Sequence, residues 1–460
     1  MRLSGPRPDT PGCAPPPIHR AGTCWAPVTI ATAGSRPGVI LTCEEGSAAF
    51  FAGDVARHPD RAQMERNQYE TSKTSRYGWA RFHERFDFDR TPNEPNRFEW
   101  VVEIDPFDPD APPVKRAALG RFAHEGAHCA LAADGRVVVY LGDDWEFEYC
   151  YRFVSTRSVD PANRAANRDL LDDGILSVAR FYADGSLHWP PLVWGQGPLT
   201  AANGFASQAD VLLETRRAAD LLGATPMDSP EAFEPDPGSG HVVIALTGNE
   251  ARTKGAPSNP RPANEHGHIL RLVPPGAAPD HGADVFAWRI FLLCGDPASP
   301  ADRAAFHPDA SEQGWFVEPD NIAFDPSGRL WVCSDGPGPR NHDGLWVMDV
   351  AGPPEGLPRL FYSPPIQSEC CSSAFTPDGE TMFLAIQHPA ERADSRCADR
   401  LARFQARPAA PTVADRDWTQ RAAIRPIRHA TIRSTMLYRG MTPNCHAFCV
   451  TKSHAAAWVR

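Results

Sequence analysis

Short runs in which apolar and polar residues alternate recur along the chain, each next to a tight turn. A turn with Asp-Gly or Ser-Gly leads into such a run at 132–144, 182–189, 324–336 and 375–389. Alternation with period two predicts a β-strand with one buried face, and glycine supplies the positive φ that a tight hairpin needs. Gly135 and Gly185 are 50 residues apart, and Gly328 and Gly379 are 51 apart. A strand-turn-strand unit that recurs about every fifty residues is typical of β-propeller blades.

Further strand-like runs and one helical run complete the pattern. The additional strand-like runs lie at 39–43, 100–105, 174–182, 241–248 and 268–273. Within 207–224, the apolar residues Val211, Leu212, Ala218, Ala219 and Leu222 have the spacing of one helical face. We therefore predict an all-β fold, a β-propeller with a short helical insertion.

The two ends of the chain lose the blade pattern. Residues 1–38 and 392–460 show no clear alternation, and the second segment is rich in Arg, Ala and His. We therefore expect the propeller to span 39–391, flanked by an atypical N-terminal segment and an atypical or disordered C-terminal segment.

Composition narrows the class of protein. The chain has 460 residues, of which 42% are hydrophobic and 22% charged, with 47 prolines and 35 glycines. This composition is globular, and so many turn residues argue against long helices. The net charge of −11 offers no basic stripe to a nucleic acid. The sequence also has no run of eighteen apolar residues that would span a membrane.

The spacing of the cysteines bears on a zinc site, and the first residues bear on the cellular compartment. The twelve cysteines are irregularly spaced and form no repeated CxxC pair, so a structural zinc framework is not expected. The first residues lack the apolar stretch of a secretory signal, so the chain as it stands predicts a cytoplasmic protein.

Polar clusters with possible chemistry lie at the ends of the predicted strands. They occur at 42–45, 121–127, 142–144, 226–231, 264–268, 319–321 and 387–391. A propeller points its inner strands at one channel, so residues far apart in sequence converge. Converging carboxylate and amide oxygens suit calcium, and an added thiolate shifts the preference toward iron.

Each cluster also has a simple structural interpretation. Cys43 alone fits a buried small hydrophobe, and Glu45 and Glu125 alone fit solvated acids. Asp143-Asp144 fits a turn, and Pro319-Asp320-Asn321 fits an Asx turn before a strand. The number of acid clusters at similar places relative to strands favours a metal site over these separate interpretations.

Nine motifs in the same order resemble the PhoX family of alkaline phosphatases. They are TCEE (42–45), NEPNRFEWVVEIDPFDP (93–109), RFAHEGA (121–127), EYCYRFVS (148–155), LLDDGILSVARF (170–181), LGATPMDSPE (222–231), NEHGHILR (264–271), EPDNIAFDPSGRLWVCSDG (318–336) and FTPDGETMFLAIQHPAE (375–391). The resemblance covers residues 39–391.

The resemblance implies a six-bladed propeller that hydrolyses phosphate monoesters. It implies a cluster of ferric iron and calcium ions in the channel, with an oxygen that bridges the metals as the nucleophile. The residues that the family pattern assigns to catalysis are Cys43, Glu45, Glu125 and Glu231. The same four, with Asp320, are the implied metal ligands, and the implied substrate-binding residues are Asp228, Ser229 and Asn321. The implied partner is a small phosphate ester, and we expect a monomer.

The chain also departs from the family pattern. Ser229 stands where the family typically has an arginine that contacts phosphate, and serine cannot supply that charge. AGSRPGVI (33–40) replaces the Gly- and Trp-rich stretch that usually leads into TCEE, and an early segment with further ligands has no counterpart. We therefore expect an incomplete propeller. Family members carry a twin-arginine export signal, so the resemblance implies a periplasmic or secreted protein.

Three functions remain open from the sequence. The first is a metal-dependent phosphatase of the PhoX type. The second is a non-catalytic propeller that keeps the scaffold and binds metal or ligand with little turnover. The third is a calcium-dependent propeller lactonase, for which a thiol beside two glutamates, Cys43 to Glu45, would have no use.

Overall fold

In the computed structural model, the chain forms two compact units. The described residues are 38–69, 77–108, 110–312, 314–336, 343–364 and 368–387, together with the backbone of 431–432 and 445–451. The boundary between the units falls between Leu293 and Cys294. The predicted cluster at 387–391 lies outside the described residues except for Gln387, and so does most of the predicted end segments. The predicted propeller boundaries, 39–391, stay a prediction.

The first unit contains three antiparallel sheets. One sheet has the order β1 (Ile40–Cys43), β2 (Val101–Ile104), β3 (Val114–Lys115). A second is a four-stranded meander of β4 (His124–Leu131), β5 (Arg136–Asp143), β6 (Cys150–Ser158) and β7 (Gly174–Val178). A third contains β8 (Arg180–Phe181), β9 (Ser186–His188), β10 (Pro230–Pro235), β11 (Val242–Leu246), β12 (His268–Val273) and β13 (Val285–Leu293), in the order β10-β11-β12-β13-β9-β8.

The second unit contains two four-stranded antiparallel sheets. One is the meander β14 (Pro319–Phe324), β15 (Arg329–Ser334), β16 (Leu345–Asp349), β17 (Arg359–Tyr362). The other comprises β18 (Glu369–Phe375), β19 (Thr381–Gln387), β20 (Thr431–Ile432) and β21 (Cys445–Thr451), in the order β18-β19-β21-β20. Two segments from the predicted atypical end thus pair within a sheet. The all-β class and the blade pattern expected from the sequence are confirmed.

The predicted turn glycines are where the strands reverse. Gly135 joins β4 to β5, and Gly185, Gly328 and Gly379 occupy the corresponding turns of three other hairpins. Their φ angles are 81°, 85°, 78° and 62°, a left-handed region that other residues rarely adopt. The inference from the Asp-Gly and Ser-Gly turns is therefore confirmed.

The predicted helical insertion is present as two short helices. They are α2 (Gln208–Leu213) and α3 (Thr215–Leu222), and Ser207 and Asp210 form a capping box at the start of α2. A further helix, α1 (Arg61–Arg66), was missed because six residues carry too little periodicity. Single 3₁₀ turns lie at Ala48–Phe50, Val55–Arg57, Trp79–Arg81, Glu84–Phe86, Pro95–Arg97, Ala117–Leu119, Arg164–Asn167 and Ala201–Asn203. None of the helices in the described residues is long and apolar enough to span a membrane.

Strand β5 is buried on both faces, which makes it a rigid support for whatever its end carries. Val139 and Leu141 pack in a core with the helices α2 and α3. Val138 and Tyr140, which point the other way, pack in a core with the sheet that contains β11 and β12. Each such buried side chain contributes about 1.5–3 kcal/mol.

Candidate metal centre

In four sheets, a one-residue bulge interrupts one edge strand close to its start. In β4, His124 lies opposite Asp143, and the next paired residue is Ala127, opposite Leu141. The same step of three residues against two occurs in β10, β14 and β18. The first residues inside the four bulges are Glu125, Glu231, Asp320 and Cys371. A bulge redirects a side chain out of the strand alternation, so three of the four strands present a carboxylate at an equivalent position.

Two of these bulged strands begin in the same local conformation. Ser229 has φ 49° and Glu318 has φ 47°, and each is followed by a proline and then by the bulged acid. A left-handed φ at a residue other than glycine costs about 1–3 kcal/mol and is concentrated at functional sites. The same strained step precedes both acids, so we expect Glu231 and Asp320 to have a functional role.

Four carboxylates of the first unit come together at the ends of β1, β4, β5 and β10. Glu45, Glu125 and Asp144 each offer an oxygen, and these oxygens lie within 4.8 Å of one another. Oxygens of Glu125 and Glu231 are within the same distance. Asp144 shares one hydrogen bond with Glu45 and another with Glu231. We call these four residues the carboxylate cluster.

The charge of the carboxylate cluster needs a counter-charge. Burial raises the pKa of Asp144, and its hydrogen bonds with Glu231 and Glu45 and the charge of Arg216 offset part of this rise. Carboxylates this close and this buried cannot all stay ionised unless protons or cations lie among them. Carboxylate oxygens are the donors that hard cations such as calcium take, so the residues present fit a metal centre.

The two adjacent acids after β1 have different roles. Glu44 forms an ion pair with Lys115 at 2.6 Å and accepts a hydrogen bond from the backbone N–H of Trp100 at 3.1 Å. Glu45 belongs to the carboxylate cluster instead. Of this pair of acids, only the second is therefore a candidate ligand.

Cys43 is the last residue of β1 and lies opposite Val101. Its side chain is buried, and burial, followed by the charges of Glu45 and Glu44, raises the pKa of its thiol. Among the described residues, Cys43 is in neither of the groups whose ligand atoms converge within 4.8 Å. A nearby cation would favour the thiolate, and the role of Cys43 as an iron ligand stays a prediction.

The interpretation of Asp143 and Asp144 as a turn is wrong. Asp143 is the final residue of β5 and is fully buried, where it forms a two-pronged ion pair with Arg216 of α3. Asp144 follows directly and belongs to the carboxylate cluster. The pair of acids after an apolar run was a usable signal for Asp144. No sequence signal pointed to Arg216, because it is 73 residues away from Asp143.

A second buried ion pair joins the segment before β4 to Glu99, just before β2, and Ser47 in the loop after β1 contacts the same Glu99. The Arg121 guanidinium lies 2.7 Å from a carboxylate oxygen of Glu99. The other oxygen of Glu99 accepts hydrogen bonds from the hydroxyl of Ser47 at 2.6 Å and from its N–H at 3.3 Å. Ser47 and Arg121 are two and four residues from Glu45 and Glu125, so the pair restrains both acids.

The predicted substrate-binding residues before Glu231 differ in exposure. Asp228 is fully buried, and its two oxygens accept hydrogen bonds from Arg252 and, at 2.9 Å, from the Asn264 amide. Ser229 is half-buried. Because Asp228 is already paired, a contact with substrate would require it to exchange a partner, and its substrate-binding role stays a prediction.

The remaining predicted site residues belong to the second unit. Asp320 and Asn321 are the bulged residues of β14, and both are buried. The Asn321 amide donates a hydrogen bond to Asp320 at 2.8 Å. Their roles as metal ligand and substrate contact stay predictions.

Comparison with known proteins places this geometry in a family. The family model of the alkaline phosphatase PhoX matches residues 32–390. The solved structure of PhoX from Pseudomonas fluorescens in complex with vanadate, a transition state analogue, is 35% identical, with a TM-score of 0.75. That match covers 90% of this chain and 68% of the Pseudomonas chain. The chain belongs to the PhoX alkaline phosphatase family, whose members are metal-dependent β-propellers.

Another solved structure that matches the chain is far more remote. A gluconolactonase from Xanthomonas campestris is 15% identical with a TM-score of 0.26, and the match covers 62% of this chain and 61% of that chain. A likeness of this size has no bearing on function. No curated protein matches the chain.

Proposed function

We propose that the chain hydrolyses phosphate monoesters with calcium and ferric iron held by the carboxylate cluster. The observation that carries this proposal is the convergence of Glu45, Glu125, Asp144 and Glu231. Membership of the PhoX alkaline phosphatase family supports phosphatase activity. The vanadate in the Pseudomonas protein supports a small substrate with a phosphate-like group.

The residues would divide the work by donor type. The four cluster carboxylates would hold the metals through oxygen, Cys43 would be a thiolate ligand for iron, and Asp320 would be a further oxygen ligand. When bound, the metal ions would neutralise charge on the phosphoryl group and supply the attacking oxygen.

The protein's own contribution is to hold the cluster acids in position. The bulges of β4 and β10 hold Glu125 and Glu231 at one place on buried strands, so little reorganisation is needed as charge develops. The Ser229 hydroxyl and the Asn321 amide would each donate a hydrogen bond to a phosphate oxygen. Serine provides no positive charge, so Ser229 makes a weaker contact than a guanidinium fork would.

Ser229 also supports a second candidate, a propeller that binds metal with little turnover. A site that holds the metals but lacks the expected cation beside the phosphate would bind an anion weakly and stabilise its transition state poorly. The two candidates agree on metal binding and differ in catalysis.

Hydrolysis of p-nitrophenyl phosphate by the purified chain tests the proposal. We expect activity that a calcium and iron chelator abolishes and that both metals restore. Glu45→Gln should remove activity, and the matched control Glu44→Gln should retain most of it, because Glu44 lies outside the carboxylate cluster. Bound metal without turnover would favour the second candidate. Activity that survives complete removal of metal would contradict both.

Export to the periplasm and a monomeric state are additional proposals, which rest on the family resemblance. Fractionation of cells and sedimentation of the purified chain would test them.

A further inference from the structure

Arg216 is a buried cation that lies behind the carboxylate cluster. Its side chain on α3 is 4% exposed, and its partner Asp143 is fully buried. The Nε atom donates to one oxygen of Asp143 at 2.9 Å and an Nη atom donates to the other at 2.5 Å. Glu148 lies 3.7 Å from the same Nε. The fork of Arg216 is therefore occupied by Asp143.

Asp143 connects Arg216 to the start of β4 and to the residue after β5. One of its oxygens accepts a hydrogen bond from the N–H of Ala123 at 3.2 Å. The carbonyl of Ala123 in turn accepts from the N–H of Asp144 at 3.0 Å. Ala123 is two residues before Glu125, and Asp144 is the cluster residue that follows Asp143. These contacts thus link Arg216 to the backbone of Ala123, near Glu125, and to the backbone of Asp144.

Arg216 supports the carboxylate cluster without itself contacting a reacting group. Because its fork is bound to Asp143, Arg216 acts on the cluster through the chain contacts of Asp143. A planar fork fixes the direction of both carboxylate oxygens, which the single ammonium of a lysine does not do.

We propose that Arg216 is a positioning residue, whose ion pair with Asp143 holds Glu125 and Asp144 at the spacing that a metal ion needs. The inference rests on the proposed function in one respect, that the carboxylate cluster binds metal. Partners that orient metal ligands in this way typically affect metal affinity about 10–100-fold.

Calcium affinity is the direct test, measured by titration calorimetry on the full chain. We expect Arg216→Gln to raise the calcium Kd about tenfold or more. The matched control is Arg116→Gln. Arg116 is also 4% exposed and forms two ion pairs at 2.8 Å, but with Glu103 and Asp172, which are outside the cluster. We expect the control to lose stability and to keep its calcium Kd within about twofold of the wild type.

Two more variants separate positioning from folding. Arg216→Lys keeps the buried charge, so it should fold, yet it loses the fork and should still weaken calcium binding about threefold. In the double variant Asp143→Asn with Arg216→Gln, the loss of affinity should be no greater than in Arg216→Gln alone, because both act through one contact.

The outcomes distinguish this inference from the proposed function. A wild-type chain that binds no calcium overturns the proposed function and the inference together. Calcium binding that is equally affected in Arg216→Gln and Arg116→Gln overturns the inference alone. If Arg216→Gln does not fold, a wild-type calcium Kd in Arg216→Lys overturns the inference, and a weakened one supports it.

Discussion

The two ends of the sheet formed by β4, β5, β6 and β7 use charge in opposite ways. At the hairpin end, Asp134 and Arg136 form an exposed ion pair at 2.7 Å beside Gly135. At the other end, Asp143 and Arg216 form an ion pair that is almost fully buried. Exposed pairs contribute about 0–1 kcal/mol, whereas removal of one partner from a buried pair costs about 3–5 kcal/mol.

The difference indicates that the hairpin end serves the turn, whereas the end at the carboxylate cluster is the candidate for chemistry. The hairpin end needs only a residue with positive φ and a solvated pair of charges. The end of the sheet at the carboxylate cluster contains buried acids, which are costly to desolvate. Acids are kept at such a cost where they have a function, and the proposed metal centre would be such a function. Four changes, from the largest expected effect to the smallest, test this contrast.

Replacing a cluster acid should have the largest effect. We expect Glu125→Gln to lower kcat for p-nitrophenyl phosphate about a thousandfold, because the amide keeps the shape and loses the charge that holds metal. Steady-state kinetics measure this change. The matched control at the hairpin end is Asp134→Asn, which should keep wild-type kinetics. Full activity in Glu125→Gln would show that the cluster is not the active site.

Acid should weaken the middle of the same sheet through His281, whose Nδ1 is 2.9 Å from the hydroxyl of Tyr140 on β5. Burial lowers the pKa of His281 from 6.5 to about 4, with Asp280 raising it and Arg152 lowering it further. The unfolded chain therefore binds this proton first. Neutral His281 therefore contributes its full share to the free energy of unfolding above pH 6.5. This contribution, about 3 kcal/mol in total, is lost as the pH falls toward 4.

Denaturant unfolding at several pH values measures the effect of His281. The control is His281→Gln, which keeps a polar side chain and does not titrate. The free energy of unfolding of the wild type should fall more steeply with acid than that of the variant. Parallel pH profiles would mean that His281 is not held neutral in the folded protein.

Adding the cation that position 229 lacks should strengthen catalysis. We expect Ser229→Arg to raise kcat/KM about tenfold, since a guanidinium fork suits a phosphate oxyanion. Ser229→Gln has similar reach without charge and should give little gain. An unchanged kcat/KM in an arginine variant that retains its metals would argue against a phosphate contact at this position.

The smallest effect should come from the hairpin end. Asp134→Asn removes the charge and keeps an acceptor for the N–H of Arg136, which Asp134 contacts at 3.2 Å. The free energy of unfolding should change by less than about 0.5 kcal/mol. A loss comparable to that of Arg116→Gln would contradict the contrast between the two ends.

The parts of the fold that depend on local chemistry could be predicted from the sequence. The turn at Gly135 follows from the need for positive φ, and β12 (His268–Val273) follows from its short, mostly apolar run. α1 was missed because its six residues hold too little periodic signal.

The candidate site could be predicted only in part, because its geometry depends on distant residues. The bulges arise from the register between two strands, so nothing in the local sequence marks Glu125 as redirected. Glu44 and Glu45 are identical in type, and their roles are separated by the positions of Lys115 and of the backbone N–H of Trp100, which both contact Glu44. The sequence marks Asp144 only as the second of two acids after an apolar run, because its cluster partners come from other strands.

Counting the metal in the purified chain tests the central claim most directly. Elemental analysis of the wild type should find both calcium and iron, and Glu125→Gln should lose most of both. Cys43→Ser should lose iron while calcium stays, because its thiol is the predicted iron ligand. A wild-type chain without either metal, or a Glu125→Gln variant with undiminished metal, would contradict the assignment of the carboxylate cluster as a metal centre.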